Sequence, residues 1–442
     1  MPLPPYGHGP STNLDQTALG KINTGFTPSD LVMSSADTAV LRGLAERVVI
    51  LASSEEMRAR RALWHGVNTL RKQRPVVFCD PENGWNEIIT ETQMRCEGTL
   101  ARRWEMDLRK EIFWGEEMGD DKPVEPIFVV PYTVRDENWG LPVLYHKPEQ
   151  RDGAQTWEGP IQDYDRDLPK LHTPAIDIDW ETSRGCEQIA REVFGGILDV
   201  RMRGMWWWSL GITLPAVQLR GLENMLTDFL DQPHNLKALF SFIADSHLKR
   251  LGWLEQQGLL ALNNDGTYVG SGGFGYTDAL PAAGFAGKAR CIDLWGFAES
   301  QETVGVSPEM YAEFVFPEEQ RVLDRFGLTC YGCCEPLHTR WDTVQKHQTL
   351  RRVSCSPWVD VPRMAALLGD GYIFSLKPNP AALALPDIDD AAIRRGLRDA
   401  LEATRGCVVE IIMKDNHTLG GNPTNATRWC RIAREEATRI GV

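Results

Sequence analysis

Five apolar runs in the last third of the chain constrain its fold more than any other feature. They begin at Cys291 (CIDLWGFA), Gly327 (GLTCYGCC), Leu350 (LRRVSC), Gly371 (GYIFSL) and Cys407 (CVVEIIM), and every gap between them is long enough for a helix. Short runs that are apolar throughout suit strands buried on both faces, and amphipathic spacers suit the helices that cover them. In the last gap Asp389 or Asp390 caps a segment whose Ile393, Leu397, Ala400, Leu401 and Thr404 share one face, and Gly406 closes it. The pattern specifies parallel βα units. Adding the runs at Pro75, at Met205 and around Leu259 brings the count to eight, so the expected fold is α/β, a (β/α)8 TIM barrel. A doubly wound open sheet is the alternative.

The rest of the chain surrounds that unit. Residues 1–35, rich in Pro, Gly, Ser and Thr, form an irregular N-terminal arm; residues 36–442 form the barrel domain. Two helices precede the first strand, one through Leu41, Leu44, Val48 and Leu51, the next from Ser54 through Met57, Trp64, Val67 and Leu70. A third helix is expected over Thr90 to Arg109, and others over Thr182 to Val200, Leu222 to Leu230 and Asn235 to Leu254. Between about 114 and 174 helical periodicity fades around one strand, Ile127 to Tyr132, and an insertion of small β-elements is expected there. The stretch Asn263 to Asp278 (NNDGTYVGSGGFGYTD) lacks the lysine of a phosphate-binding loop and reads as a flexible loop near a pocket.

Composition excludes several classes. No run of eighteen apolar residues is present, and the N-terminus has neither a basic opening nor an apolar segment, so no membrane span and a cytoplasmic location are expected. A net charge of −14 without a long basic block argues against a nucleic-acid partner. Ten cysteines with no even framework, four of them between 330 and 355, point to metal or redox chemistry rather than disulfides.

In a parallel barrel all strand tips meet at one face, and the chemistry is expected there. The tips are DPENGWNE after the first strand, with Asp80, Glu82, Asn83 and Trp85, then AESQET, YGCCEPLH, CSPW, LKPNP and KDNHTLGG. Cys333, Cys334 and Glu335 crowd one tip and His417 stands on the last. Thiolate, carboxylate and imidazole from separate tips are the ligand types of an open zinc site. Trp85, Trp295 and Trp358 suggest an aromatic-lined pocket, with Asn83, Glu299, Gln301, Lys377 and Asn379 as further substrate contacts. The triplet of Asp415, His417 and Gly420 spells DxHxxG, the form in which corrinoid proteins offer a histidine to cobalt. Only 22 residues follow it, too few for the open α/β domain that accompanies the motif there.

The phrases LTDFLDQPHNLKALFSFIAD (Leu226 to Asp245) and SPEMYAEFVFPEEQRVLDRFG (Ser307 to Gly327), with YGCCE, resemble the uroporphyrinogen decarboxylase superfamily over roughly residues 170–442. Within it the chain resembles the branch of corrinoid-dependent O-demethylase methyltransferases. That resemblance implies zinc held through a His-x-Cys pair and a later Cys. Here Cys333 takes the motif cysteine's place, Tyr331 stands where histidine is expected, and His417 lies near the later ligand's place, with Cys334 or Glu335 in a compensating role. It further implies a methyl group passed from a small methylated substrate, an aromatic methyl ether for preference, to a corrinoid carried by a separate protein, and a possible homodimer. Tyr331, Lys414 and Glu335 are the expected catalytic side chains, Tyr331 or Lys414 as proton donor to the departing atom. The alternative is a uroporphyrinogen-type decarboxylase acting without metal, although the arginine-rich segment that holds porphyrinogen carboxylates has no equivalent after Pro75.

Overall fold

The computed structural model describes residues 26–136, 138–146 and 156–441. Most of the expected N-terminal arm lies outside the described residues. Twelve strands occur among the described residues: β1 (Val76–Cys79), β2 (Ile127–Pro131), β3 (Val134–Asp136), β4 (Leu144–His146), β5 (Thr156–Glu158), β6 (Ile176–Ile178), β7 (Asp199–Arg203), β8 (Trp295–Ala298), β9 (Leu328–Tyr331), β10 (Leu350–Cys355), β11 (Ile373–Leu376) and β12 (Val408–Met413). Six of them form one sheet in the order β1-β12-β11-β10-β9-β8, every pairing parallel. The apolar runs of the last third are its strands, and β1, β8, β9, β11 and β12 are buried along their whole length. Pairing of β1 with β12 brings the first strand beside the last.

Six strands form the parallel sheet and β2 and β7 pair in parallel apart from it, and two of the expected strands are not where the sequence placed them. Leu259 to Leu262 is irregular, and β2 takes its place, pairing in parallel with β7. The expected run at Met205 is also shifted: β7 ends at Arg203, before MWWWSLG begins. Its sequence, DVRMR, carries charged side chains on a half-exposed strand, and so lacks the continuous apolar signature of the others. Ladder hydrogen bonds do not join the β2/β7 pair to the six-stranded sheet among the described residues. Two antiparallel ribbons, β3 with β6 and β4 with β5, make up the small elements of the 114–174 region and its flank.

Helices begin where local capping allows. Ser34 accepts from the Asp37 amide at 3.0 Å and opens Ser35–Ala52; Ser54 accepts from Met57 at 3.2 Å and opens Glu55–Asn68; Asp389 accepts from Ala392 at 2.9 Å and opens Asp390–Ala403. The helix expected from Thr90 starts instead at Thr99 and runs to Glu116, because Glu91–Gln93 forms a separate 3-10 turn. The helix from Asn235 extends over Pro233–Gln257, and Gly258 ends it in the left-handed conformation.

The glycine-rich segment 263–278 is no mobile flap. It lies against one face of the sheet, touching five strands in turn. Phe274 packs on Phe78 of β1 at 4.8 Å between ring centroids and on Trp64 at 4.9 Å. Ser271 donates to the Gly332 carbonyl at 3.0 Å, at the tip of β9. A Cβ on Gly270 would stand 2.5 Å from Cys330 Sγ, and one on Gly273 would stand 2.9 Å from both Arg352 of β10 and Glu410 of β12. Both glycines also have positive φ, 69° and 92°, so close approach and backbone angle each call for glycine. Composition alone suggested flexibility; the glycines instead let the backbone come within van der Waals contact of the sheet.

Candidate active site

Because the six strands are parallel, their C-terminal ends lie on one edge, and buried polar side chains gather along it. Two groups form there.

The first centres on Lys414, the residue after β12. Its ammonium lies 3.4 Å from Asp415 Oδ1 and 4.0 Å from Glu82 Oε1. The tips of β1 and β12 are tied together around it: Asp80 N donates to the Met413 carbonyl at 2.9 Å, and Asn416 Nδ2 donates to the Asp80 carbonyl at 3.0 Å. Asp80 Oδ1 accepts from the Glu82 amide at 3.1 Å and from Trp85 Nε1 at 3.2 Å. Glu82 and Asp415 have φ of 49° and 62°, two of only three non-glycine residues in the left-handed region among those described. Strain of this kind persists where surrounding contacts fix it and gathers at functional sites. Asp80 Oδ2, Glu82 Oε1 and Tyr268 Oη are buried with no hydrogen-bond partner among the described residues. Lys377, after β11, donates to the Ser271 carbonyl and lies in the field of Lys414 and Cys333.

Electrostatics sort these groups. Burial alone would lower the Lys414 ammonium, but Tyr268, Asp415, Glu82 and Cys333 outweigh it and hold it well above the ordinary lysine value. Burial, followed by Lys414, pulls Lys377 down. The Glu82 carboxyl is pushed up to about 8, chiefly by burial and further by Asp80 and Asp415, against the opposing pull of Lys414. Burial likewise raises Asp80.

The second group surrounds Tyr331. Its hydroxyl donates to Glu319 Oε2 at 2.6 Å, accepts from Tyr311 at 2.8 Å and lies 3.1 Å from Ser300 Oγ. Burial, then Glu319, raises Tyr331 well above the usual phenol value. Burial raises Glu319 to about 8. Glu299 is fully buried with Oε1 unpartnered among the described residues; burial and the neighbouring Glu302 and Glu335 raise it well above the carboxylate range. Both oxygens of Glu335 are occupied by backbone, Oε1 by the Ser300 amide and Oε2 by the Cys333 amide, each at 2.9 Å. The Tyr331 hydroxyl and the Glu335 carboxylate thus bind together the tips of β8 and β9 and the helix Phe316–Leu323, and are committed to that task.

The four expected metal ligands are not assembled. No group of three His, Cys, Asp or Glu side chains suited to a metal ion occurs among the described residues. Cys333 and Cys334 come within 3.8 Å of each other, sulfur to sulfur, but Glu335 is held by backbone amides and His417 is exposed on its loop. That loop is anchored elsewhere: Glu87 accepts from Thr418 Oγ1 at 2.6 Å, Leu419 N at 2.9 Å and Gly421 N at 2.8 Å. Two sulfurs alone fall short of the three protein ligands of a catalytic zinc site, so this arrangement does not fit zinc and no step is derived through it.

Expected substrate contacts separate into four sets, apart from Glu299, which belongs to the Tyr331 group. Lys377 belongs to the Lys414 group. Trp85 and Trp295 are core: Trp295 opens β8 instead of ending it, with Nε1 donating to the Gly275 carbonyl at 3.0 Å and its ring 5.0 Å from the Arg352 guanidinium. Trp358 and Asn379 are exposed, Asn379 capping the 3-10 turn Pro380–Leu383 through the Ala381 amide at 3.0 Å. Asn83 and Gln301 are half-buried at their tips, and Gln301 N donates to Glu299 Oε2 at 3.1 Å. Asp80 and Glu82 are legible in the sequence as residues of the first strand tip but without a task, and Tyr268 and Glu319 are not singled out by it.

No family profile and no curated protein matches the sequence. Among solved structures the chain is similar in fold to a methyltransferase from Methanosarcina mazei, with a TM-score of 0.51, 11% sequence identity, and coverage of 85% of this chain and 98% of that one. At that identity the likeness is one of fold. No helix among the described residues is long and apolar enough to cross a membrane.

Proposed function

We propose that the protein is a methyltransferase of the uroporphyrinogen decarboxylase superfamily, acting in the cytoplasm, that passes a methyl group from a small methylated compound to the cobalt of a separate corrinoid protein. The observation that carries the reading is the convergence of Lys414, Lys377, Glu82 and Cys333 on the carboxyl edge of a parallel sheet, in a fold like that of a methyltransferase. Eight parallel strands in two arcs, β1 with β8 to β12 and β2 with β7, support a (β/α)8 barrel as the architecture.

The chemistry asked of such a site is modest. A methyl ether resists displacement because its oxygen leaves as an anion, so the enzyme must offset negative charge on that atom. An ammonium fixed between Asp415 and Glu82, in a setting poor in water, is a preorganised positive charge for this purpose. Trp358, 69% exposed at the tip of β10, keeps an aromatic methyl ether first among donors to try, whereas the burial of Trp85 and Trp295 removes the rest of that argument. A net charge of −14 disfavours a polyanionic porphyrinogen, and with it the decarboxylase reading.

The test is direct. Purified protein is incubated with a reduced corrinoid protein and a panel of methyl ethers, methylamines and methyl thiols, and the cobalt absorption spectrum is followed. Methylation of the corrinoid with one donor class supports the reading; an unchanged spectrum with every donor overturns it.

A further inference from the structure

The Lys414 group contains a proton that none of the expected catalytic residues accounts for. A departing oxygen, nitrogen or sulfur that has lost its methyl needs a proton as well as a nearby positive charge. The side chains expected to give it are poorly placed. Tyr331 has its hydroxyl buried against Glu319 at 2.6 Å, with Tyr311 and Ser300 filling the remaining positions. Lys414 lies beside Asp415, and its ammonium is held well above the ordinary lysine value, so it keeps its protons.

Resting on the methyltransferase reading, we propose that Glu82 is the proton donor to the leaving atom, with Lys414 as the fixed positive charge beside it. Four observations converge on this residue. It sits at the tip of β1, on the edge where the parallel strands end, with a left-handed φ of 49°. Its Oε1 lies 4.0 Å from Lys414 Nζ, beyond hydrogen-bond range, and has no other partner among the described residues. The unpartnered Oδ2 of Asp80, itself 0% exposed, lies in the same group. Finally, the charged and titratable groups around it come from several elements: Lys414 and Asp415 from the β12 tip, Asp80 from its own tip, Cys79 from β1 and Tyr268 from the glycine-rich segment, with Lys110 behind Asp80 and Lys377 and Cys333 behind Lys414. Burial raises its carboxyl to about 8, so at neutral pH it carries a proton and gives it up readily, the match a general acid requires.

The step balances as follows. In the donor R–X–CH3 the C–X bond breaks and its electron pair stays on X. The methyl carbon forms its new bond with an electron pair from a reduced corrinoid, the co-reactant. X takes the proton of Glu82 and leaves as R–XH. Glu82 becomes a carboxylate facing the Lys414 ammonium and regains its proton from solvent before the next turnover.

The experiment uses the full chain, 2-methoxyphenol (and any other donor found active) and chemically reduced cobalamin, over a range of pH. Wild-type transfer should fall as pH rises past about 8. Glu82→Gln should lose about a hundredfold or more at neutral pH, together with that limb, and Glu82→Asp should recover part of the rate and a titrating limb. Infrared difference spectra of wild type against Glu82→Gln supply a readout independent of turnover: a protonated carboxyl band present at neutral pH and lost above about pH 8 in wild type, absent from the variant. Unchanged transfer in a folded Glu82→Gln protein, or no such band, overturns the assignment and leaves the methyltransferase reading standing. No transfer by wild type with any donor overturns both.

Discussion

Arg352 of β10 and Glu410 of β12 form an ion pair, Nε to Oε1 at 3.0 Å, with neither side chain exposed to solvent. Arg352 also donates to Asn68 Oδ1 at 2.6 Å and to the Phe274 carbonyl at 3.1 Å, so the pair fastens both the helix Glu55–Asn68 and the glycine-rich segment to the sheet. Removing one partner from a buried pair leaves an uncompensated charge and costs about 3–5 kcal/mol, whereas replacing both by apolar residues costs far less. Glu410→Leu should therefore lower unfolding stability by about that amount, and Arg352→Met/Glu410→Leu should recover most of it. Urea denaturation of the three proteins checks the order.

The close approach of the segment 263–278 gives a second expectation. Gly273→Ala adds a methyl 2.9 Å from Arg352 and Glu410 at a φ of 92°, while Gly284→Ala, at φ of 80°, meets nothing within 4 Å. Both incur backbone strain of about 1–2 kcal/mol, but only the first adds overlap with the buried pair. Thermal denaturation should show Gly273→Ala clearly less stable than Gly284→Ala.

Two buried histidines set a pH dependence of stability. His247 and His347 are 1% and 3% exposed, and burial lowers both from 6.5 to about 3. Below about pH 6.5 the unfolded chain binds a proton on each ring that the folded chain refuses until about pH 3, so stability is lost as pH falls through that window. By two pH units below the upper limit the loss is about 2–3 kcal/mol per histidine. The His347 ring packs on Phe316 and Tyr331, with centroids 4.7 and 5.2 Å away, so His347→Phe should flatten the acid limb of a plot of denaturation midpoint against pH.

The paired sulfurs differ in reactivity. The hydrogen bond between them favours the exposed Cys334 as thiolate and, together with burial, raises Cys333. Iodoacetamide at neutral pH should modify Cys334 first, and Cys333→Ala should slow that reaction by removing the donor. Peptide mass spectrometry of timed samples reads the outcome.

Much of the sheet was legible in sequence because its strands are buried on both faces and announce themselves as unbroken apolar runs. β7 was not, since a half-exposed DVRMR has no such signature, and Leu259 to Leu262 mimicked a strand while packing as irregular chain. The strand tips were readable as a set, and Lys377 and Lys414 do gather at one place. The metal ligands were chosen by residue type, and type says nothing of partners: Glu335 met two backbone amides, and His417 sits on a loop held by Glu87. The Glu82 carboxyl is raised by burial, by Asp80 and by Asp415, 333 positions away in the chain, against the pull of Lys414, and no local pattern reports that combination.

With one face of its sheet sealed by the segment 263–278, the molecule has no use for its centre as a vessel. For the methyl transfer proposed above, reactants would come and go across the rim where the strands end. Changes of diet can then be tried out on the rim loops, one tip at a time, while the stopper beneath keeps the scaffold rigid.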